Sequence, residues 1–310
     1  MTLDDATNCP RLLEGLDVEY ARDADLSELT WYRVGGKAEL LVWPRSVEAL
    51  SELMKRAEAE GVAVYILGKG ANLLVLEGVL KGVVVKLDSK VFGGIEVEGE
   101  TVNVGAGTDL AKLINTMAKE GLGGLDVLAG IPATVGGAIR MNAGGAYGEI
   151  GSYVESVRVM DEGGVVRDLG KDEVTFSYRH SSIEEPLVVG ATFGLKSEDP
   201  ELVRGRVMEV FEYKKSTQPL ADKSAGCAFK NPPKDVSEKG AGQLIDEAGL
   251  KNFEIGSAGV SDRHANFIVV EPGGAAKDVF AVMNHVQSVV AEKTGIELVR
   301  EVVVWGNELA

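Results

Sequence analysis

The sequence predicts an α/β protein built from two or three folded units. Apolar runs typical of strands alternate with segments of helical spacing, and turn residues separate them. The chain has 310 residues, enough for more than one hydrophobic core. It contains 39 glycines, where average usage would give roughly 22. The excess follows apolar runs, which is typical of α/β proteins with ligand-binding loops.

Individual helices and strands are predicted from the spacing of apolar residues and from the capping and turn residues between them. A helix is predicted over residues 47–57 because apolar residues recur three and four apart, with Ser46 as its N-cap and Gly61 beyond its end. The same reasoning predicts strands at residues 63–67, 73–76 and 296–305 and helices at residues 110–117 and 279–290. Boundaries between units are expected near residues 90–99 and 217–226.

Composition and charge exclude several classes of protein. Hydrophobic content of 45% and charged content of 26% are ordinary for a globular protein. No run of 18 apolar residues occurs, so no membrane span is expected. The acidic start lacks the features of a signal peptide, and Cys9 and Cys227 lie far apart, so we expect a cytoplasmic protein with reduced thiols. A net charge of −16 argues against nucleic acid as a partner, but not against a small phosphorylated ligand.

Residues 130–148 form the most informative segment, GIPATVGGAIRMNAGGAYG. Glycine lets the backbone approach a ligand without a Cβ in the way. An apolar, glycine-rich segment of this kind indicates backbone laid against a large phosphorylated cofactor, with main-chain N–H groups as donors. The alternative is a tight turn packed under a core sheet.

A second small-residue turn, at residues 68–72, allows two interpretations. It lacks the Gly-Lys-Ser/Thr of a P-loop, and it leads into a strand rather than the helix of a Rossmann fingerprint. Its amides could hold a pyrophosphate, or the turn could be an ordinary hairpin.

Three further segments carry reactive side chains. Arg179 lies among Tyr, His and three serines and offers a fork of donors for a carboxylate or enolate, although a surface arginine is the alternative. Cys227 could donate a proton more readily than a serine, or could simply be a buried cysteine. Alternation along residues 296–305 places Glu301 among apolar neighbours, which predicts a raised pKa and general-acid chemistry; the alternative is a structural Glu–Arg pair.

No cluster of His, Cys and Asp has the spacing of metal ligands, so no metal is predicted.

Taken in order, these motifs resemble the UDP-N-acetylenolpyruvoylglucosamine reductase family, the flavoenzymes of bacterial peptidoglycan synthesis. The matching segments cover nearly all of residues 31–306: WYRVGGKAE, LGKGANLLV, GIPATVGGAIRMNAGGAYG, FSYRHSSI, GCAFKNP, AGQLIDEAGL, GVSDRHANFIV and ELVREVVVWG. Two positions depart from the family pattern. Ala71 replaces a serine in the first turn, and Cys227 stands where the proton donor is usually a serine.

The resemblance implies a two-subdomain FAD-binding fold of the vanillyl-alcohol-oxidase type with a C-terminal α+β substrate domain. The expected divisions are residues 1–88, 89–213 and 214–310. It also implies that NADPH reduces bound FAD and that the flavin then reduces the enolpyruvyl UDP-sugar to UDP-N-acetylmuramate. Two alternatives stay open: another FAD-dependent oxidase of the same fold, and a non-catalytic nucleotide-sugar sensor.

The site residues follow from the same resemblance. Arg179 and protonated Glu301 would stabilise the enolate, and Cys227 would deliver the proton. Cofactor binding is expected at Gly68, Lys69, Gly70, Ala71, Asn72, Leu73, Gly130, Ile131, Pro132, Thr134, Val135, Gly136, Gly137, Ala138 and Asn142. Substrate binding is expected at Tyr178, Lys230, Asn231, Gln243 and His264.

Overall fold

A computed structural model describes residues 10–306. The predictions about Cys9 and the acidic start lie outside the described residues. The chain divides into two compact units. Of the described residues, the first unit comprises 10–24, 38–69 and 81–213, and the second comprises 25–37, 70–80 and 214–306.

Strands and helices alternate along much of the described chain. The strands are β1 (Val18–Asp25), β2 (Lys37–Pro44), β3 (Val64–Leu67), β4 (Leu73–Val75), β5 (Val79–Lys86), β6 (Ile95–Glu98), β7 (Thr101–Gly105), β8 (Leu122–Gly123), β9 (Gly144–Gly145), β10 (Gly148–Glu149), β11 (Val154–Met160), β12 (Val166–Gly170), β13 (Phe176–Ser177), β14 (His180–Ser181), β15 (Leu187–Gly194), β16 (Lys196–Ser197), β17 (Glu254–Ile255), β18 (Ala258–Val260), β19 (Ile268–Val270) and β20 (Val303–Trp305). The helices are α1 (Val47–Glu60), α2 (Ser89–Phe92), α3 (Leu110–Glu120), α4 (Val135–Arg140), α5 (Pro200–Thr217), α6 (Ala241–Glu247) and α7 (Ala276–Thr294). Among the residues described, no helix is long and apolar enough to cross a bilayer.

The first unit contains two main sheets. In one, the strand order is β1-β2-β5-β3, and β3 and β5 run parallel. The other is an antiparallel sheet of order β12-β11-β15-β7-β6. Helix α1 packs into one hydrophobic core with the first sheet, and α3 and α4 pack into a second core with the antiparallel sheet.

The second unit is assembled from segments that are distant in sequence. Strands β17, β18 and β19 form an antiparallel sheet against α7, and β4 pairs in parallel with β20. A single core joins residues of β4 to α6, α7 and the sheet. The register pairs Leu73 with Val303 and Val75 with Trp305.

Local signals account for the helices that the sequence predicted. Ser46 caps α1 by accepting from the Ala49 N–H at 3.0 Å, and Gly61 ends the helix in the left-handed conformation at φ +64°. Asp109 caps α3 by accepting from the Lys112 N–H at 3.1 Å. The predictions over residues 47–57, 110–117 and 279–290 are confirmed as parts of α1, α3 and α7.

The predicted strand over residues 296–305 is wrong in extent. Only Val303–Trp305 forms a strand, with an isolated bridge at Arg300. The expected apolar face is not buried either, because Val299 is 61% and Val303 43% exposed. A three-residue edge pairing with β4 does not enforce the alternation that a longer central strand would.

Candidate active site

The turn that begins at Gly68 lies at the carboxyl ends of the parallel strands β3 and β5. Their register places Leu67 opposite Lys86, and the Lys86 ammonium donates to the Gly68 carbonyl at 2.7 Å. Burial, with a smaller contribution from the nearby Lys69 cation, lowers the pKa of Lys86. The carboxyl edge of parallel strands is where open α/β sheets bind ligands. Two lysines, Lys69 and Lys86, therefore lie at this turn, in a protein that is acidic as a whole.

Lys69 forms an ion pair with Asp109, the residue that caps α3. Burial opposes ionisation of Asp109, but hydrogen bonds from Lys69 and from the N–H groups of Lys112 and Ala111 outweigh it and lower the pKa. Asp109 also bridges to Thr134, directly before α4. The ion pair thus ties the first turn to the start of the glycine-rich segment.

The two glycine-containing segments assigned to the cofactor meet in the first unit. A Cβ on Gly68 would lie 2.8 Å from the Thr134 hydroxyl, and one on Gly136 would lie 2.9 Å from the Ala106 Cβ. Neither position has room for a side chain without displacing its neighbours. Glycine is therefore required at these two positions by close packing against Thr134 and Ala106.

Most amides of the glycine-rich segment already have partners inside the protein. The N–H groups of Val135 and Gly136 donate to the carbonyls of Thr108 and Ala106, both at 2.9 Å, and that of Gly137 donates to the Thr134 hydroxyl at 3.3 Å. Ile131 and Ala133 also donate within the segment or to its neighbour Leu128, each at 3.1 Å. What this segment offers a ligand is chiefly the half-buried apolar surface of residues 131–133, rather than a row of vacant N–H donors.

Three assigned cofactor residues bury their side chains in hydrophobic cores. Leu73, Val135 and Ala138 are 5%, 0% and 1% exposed. A side chain that contacts a ligand must be reachable from the site, so these three can contribute only backbone. Their assignment to the cofactor site therefore stays a prediction, with the backbone as the contact. Val135 and Ala138 turn inward because the apolar face of α4 packs into a core.

Asn142 also supports the site from within. Its side chain is fully buried; the amide nitrogen donates to the Ser177 carbonyl at 2.9 Å, and the amide oxygen accepts from the Gly151 N–H at 3.0 Å. A left-handed φ of +42° turns the backbone at this residue. The Asn142 side chain therefore fixes the ribbon that carries Tyr178 and Arg179, and its assignment as a cofactor contact stays a prediction.

Tyr178 and Arg179 form the two-residue tip between β13 and β14. Arg179 has φ +54°, an unfavourable conformation for a residue with a Cβ. Its guanidinium donates to the Gly144 carbonyl at 3.0 Å and lies 5.0 Å from the Tyr178 ring centroid. A strained, half-buried arginine beside an aromatic ring that is 46% exposed is more typical of a site than of general surface.

In the second unit, Cys227 lies on a segment held by its neighbours. It bridges to Phe267, and the next residue, Ala228, donates to the Asn266 carbonyl at 2.7 Å. The buried Asn266 side chain then bonds both the N–H and the carbonyl of Phe229, at 3.0 and 2.8 Å. Cys227 itself is partly exposed. The Cys227 thiol is thus partly accessible and is carried on an ordered backbone.

Glu301 comes next to this segment through an irregular pairing. The N–H groups of Glu301 and Val302 both point to the Ala228 carbonyl, at 2.8 and 3.5 Å, which is the pattern of a β-bulge. The Asn72 side chain donates to the Glu301 carbonyl at 3.0 Å. The side-chain amide of Asn72, a residue assigned to the cofactor, thus helps to position the Glu301 backbone. Glu301 is half-buried, and its backbone is bonded to the residue that follows Cys227.

The predicted substrate residues of the second unit cluster around the start of α6. Asn231 accepts from the Ala241 N–H at 2.9 Å, and a Cβ on Gly242 would lie 3.3 Å from the His264 ring. The exposed Gln243 donates to Glu247 at 2.9 Å. The half-buried Lys230 extends from the segment after Cys227, where its N–H donates to the Val299 carbonyl at 2.8 Å.

His264 is held in its neutral form. Its Nδ1 accepts from the Asn266 N–H at 3.2 Å, which leaves the proton on Nε2. Burial lowers the pKa of His264. It can therefore present one N–H donor near the start of α6.

The structure thus gathers the predicted residues in two groups. The first unit holds the turn residues Gly68 and Lys69, the segment from Gly130 to Asn142, and Tyr178 with Arg179. The second unit holds Gly70, Ala71, Asn72, Leu73, Cys227, Lys230, Asn231, Gln243, His264 and Glu301. Sequence reasoning missed Lys86, Asp109 and Asn266. Asn266 had a signal, since it lies within the GVSDRHANFIV motif.

Comparison with known proteins gives the family. The chain is 40% identical over 299 residues to the UDP-N-acetylenolpyruvoylglucosamine reductase of Moorella thermoacetica, covering 96% of this chain and 97% of that one. The Bacillus subtilis reductase is 36% identical over 285 residues, 91% of this chain and 92% of its own. This chain belongs to the UDP-N-acetylenolpyruvoylglucosamine reductase family.

Family models and a solved structure agree with this membership. A model of the reductase C-terminal domain matches residues 218–305, and an FAD binding domain model matches residues 38–170. The crystal structure of the Thermus caldophilus reductase has a TM-score of 0.79 and 36% identity, covering 94% of this chain and all of that one. The predicted α/β fold, with FAD-binding subdomains and a C-terminal substrate domain, is confirmed at the level of fold class.

The residues of the first unit fit FAD. The half-buried apolar surface at Ile131 and Pro132 suits a flavin ring. The cations of Lys69 and Lys86 suit a diphosphate.

Proposed function

We propose that this chain reduces the enolpyruvyl group of UDP-N-acetyl-enolpyruvoylglucosamine to give UDP-N-acetylmuramate, with NADPH as reductant and FAD as bound cofactor. The observation that carries the proposal is the partly exposed thiol of Cys227, which precedes Ala228, the residue whose carbonyl accepts from the Glu301 N–H, in a chain that belongs to the reductase family along nearly its full length. The reaction belongs to peptidoglycan precursor synthesis, and a cytoplasmic location is part of the proposal.

Bound FAD would supply the hydride that reaches the terminal vinyl carbon. As that bond forms, the electron pair of the double bond moves toward the carboxylate-bearing carbon and its carboxylate. The Arg179 guanidinium would donate to the developing enolate, and the Glu301 carboxyl, in its protonated form, would donate a second hydrogen bond. The raised pKa that this role of Glu301 needs stays a prediction.

Cys227 would complete the reaction. Its S–H would transfer a proton to the inner carbon, which sets the new stereocentre, and solvent would then reprotonate the thiolate. The hydride and this proton together add one H₂ equivalent across the double bond, and NADPH is oxidised to NADP⁺. The Glu301 N–H donates to the carbonyl of Ala228, the residue after Cys227, at 2.8 Å. This hydrogen bond supports joint action of Glu301 and Cys227.

Substrate binding would use the donors around α6. Lys230 offers a cation for the UDP diphosphate, and the Nε2 proton of His264 offers a neutral donor. Tyr178, Asn231 and Gln243 stay predicted contacts. The division of the chain at residues 88 and 213 and the absence of a metal also stay predictions.

Family membership favours the reductase over an oxidase of the same fold and over a nucleotide-sugar sensor. The test is an anaerobic half-reaction experiment. We expect the yellow protein to be bleached by NADPH and its flavin absorbance to return on addition of the enolpyruvyl sugar. Recovery with oxygen but not with the sugar would indicate the oxidase, and a protein that never binds flavin would contradict both redox functions.

A further inference from the structure

Lys86 has a position that no sequence motif singled out. It is the last residue of β5, opposite Leu67 at the end of β3, so its ammonium and the Gly68 turn share one sheet edge. The ammonium donates to the Gly68 carbonyl at 2.7 Å. Parallel strands bring their carboxyl ends together at the edge where ligands bind.

The charge of Lys86 is not balanced by the protein around it. Within residues 10–306, no carboxylate forms an ion pair with Lys86, whereas Lys69 is paired with Asp109. Burial lowers the pKa of Lys86, and the charge of the Asp88 carboxylate acts against that shift. That carboxylate caps α2 by accepting from the Lys90 N–H at 2.9 Å. A partly buried cation without an ion-pair partner is less stable than a paired one. Such a group is stabilised when an anionic ligand binds beside it.

We propose that Lys86 is a further cofactor-binding residue, held by the Gly68 carbonyl so that its charge offsets the diphosphate of FAD. The inference rests on the proposed use of FAD. Lys86 acts in two ways: its hydrogen bond orients the turn, and its charge attracts the ligand. Burial and the neighbouring Lys69 cation lower the pKa of Lys86, and an anion bound nearby would oppose this shift.

Substitutions separate the two effects. Lys86→Gln keeps a donor for the Gly68 carbonyl but removes the charge, and Lys86→Arg keeps the charge. The matched control is Lys81→Gln, on the same strand, whose exposed ammonium pairs with Glu39 at 2.9 Å. FAD would be removed from each purified protein and its Kd measured by titration at low and high salt. Riboflavin, which lacks phosphates, serves as the second probe.

We expect Lys86→Gln to raise the Kd for FAD about 10- to 100-fold, as for loss of one charge-assisted contact. Lys86→Arg should retain most of the affinity, and Lys81→Gln should match wild type. Wild-type affinity should fall with salt more steeply than that of Lys86→Gln. Riboflavin binding should be equal in wild type and Lys86→Gln.

The proposal is overturned if Lys86→Gln binds FAD as tightly as Lys81→Gln. It is also overturned if riboflavin and FAD binding weaken equally, because the role would then be structural. Should Lys86→Gln fail to fold, salt-independent binding of FAD by wild type would overturn the proposal. Failure of wild type to bind FAD at all would instead contradict the proposed function.

Discussion

Cys227 is the residue that we expect to act as the proton donor. Gly226, at φ +74°, turns the backbone immediately before it, and Asn266 fixes the backbone immediately after it. The thiol is thereby presented from an ordered segment while it stays partly exposed. These are the properties a proton donor needs, since its position decides which face of the substrate receives the proton.

Substitution of Cys227 should separate the two half-reactions. We expect Cys227→Ala to leave flavin reduction by NADPH unchanged and to slow reoxidation by the enolpyruvyl sugar by roughly 10²–10⁴, the usual contribution of a positioned general acid. Cys227→Ser should recover part of this rate because a hydroxyl can occupy the same place. Stopped-flow absorbance under anaerobic conditions measures both steps. Wild-type reoxidation in Cys227→Ala would limit this residue to packing.

Arg179 shows strain at a predicted site residue. A left-handed φ costs a residue with a Cβ about 1–2 kcal/mol, and the bond to the Gly144 carbonyl helps to hold it. Asn142 supports the same ribbon from the buried side. Strain retained at a functional arginine is a common feature of preorganised sites.

At the scale of elements, short irregular segments position the predicted site residues. The bulge at Glu301 aims that residue, the six-residue helix α4 carries the glycine-rich segment, and a two-residue tip carries Arg179. Longer elements supply the cores beneath them. Within each unit, the predicted site residues therefore depend on close packing around short elements, which tolerates few changes of volume.

Substitution of Gly136 tests whether the predicted cofactor site depends on close packing around α4. In Gly136→Ala the new Cβ would lie 2.9 Å from the Ala106 Cβ, so α4 must shift away from residues 106–108. We expect a loss of stability of about 1–3 kcal/mol, typical of overpacking, together with a lower FAD content. Gly145→Ala is the control, because its Cβ would meet nothing within 4 Å. Thermal unfolding and flavin absorbance check the result, and equal behaviour of the two variants would contradict it.

At the scale of the whole molecule, the chain is an acidic protein that is expected to bind anionic ligands. Its formal charge of −16 repels a dinucleotide or a UDP-sugar at long range. In the proposed function, local cations such as Lys69, Lys86 and Lys230 would supply the attraction at short range. This arrangement favours ligands that fit these positions over polyanions in general.

Ligand binding should stabilise the first unit measurably. FAD at 100 times its Kd should add about 2.7 kcal/mol to the free energy of unfolding, by mass action. The three tryptophans allow this to be localised, since Trp43 lies in the first unit and Trp31 and Trp305 lie in the second. In a variant with Trp31→Phe and Trp305→Phe, denaturant unfolding followed at Trp43 should shift to higher midpoint with FAD. An unchanged unfolding midpoint at Trp43 in a flavin-loaded protein would contradict the assignment of FAD binding to the first unit.

The sequence by itself determined what depends on neighbours along the chain. The caps at Ser46 and Gly61 set the limits of α1, because capping acts within one turn. The order of eight motifs indicated the family, which the relatives confirm. The cofactor glycines and the reactive Arg179, Cys227 and Glu301 were all identified as candidates at this level, although their roles stay predictions.

Only the tertiary structure decided what depends on pairing between distant segments. The partnership of Lys86 with Gly68 requires the parallel register of β3 and β5, and that of Asn72 with Glu301 joins residues far apart in sequence. The bulge that replaces the expected alternation at Glu301 arises from its pairing with Ala228. Residue spacing records local periodicity but not which strand lies alongside, so these contacts had no signal in the sequence taken alone.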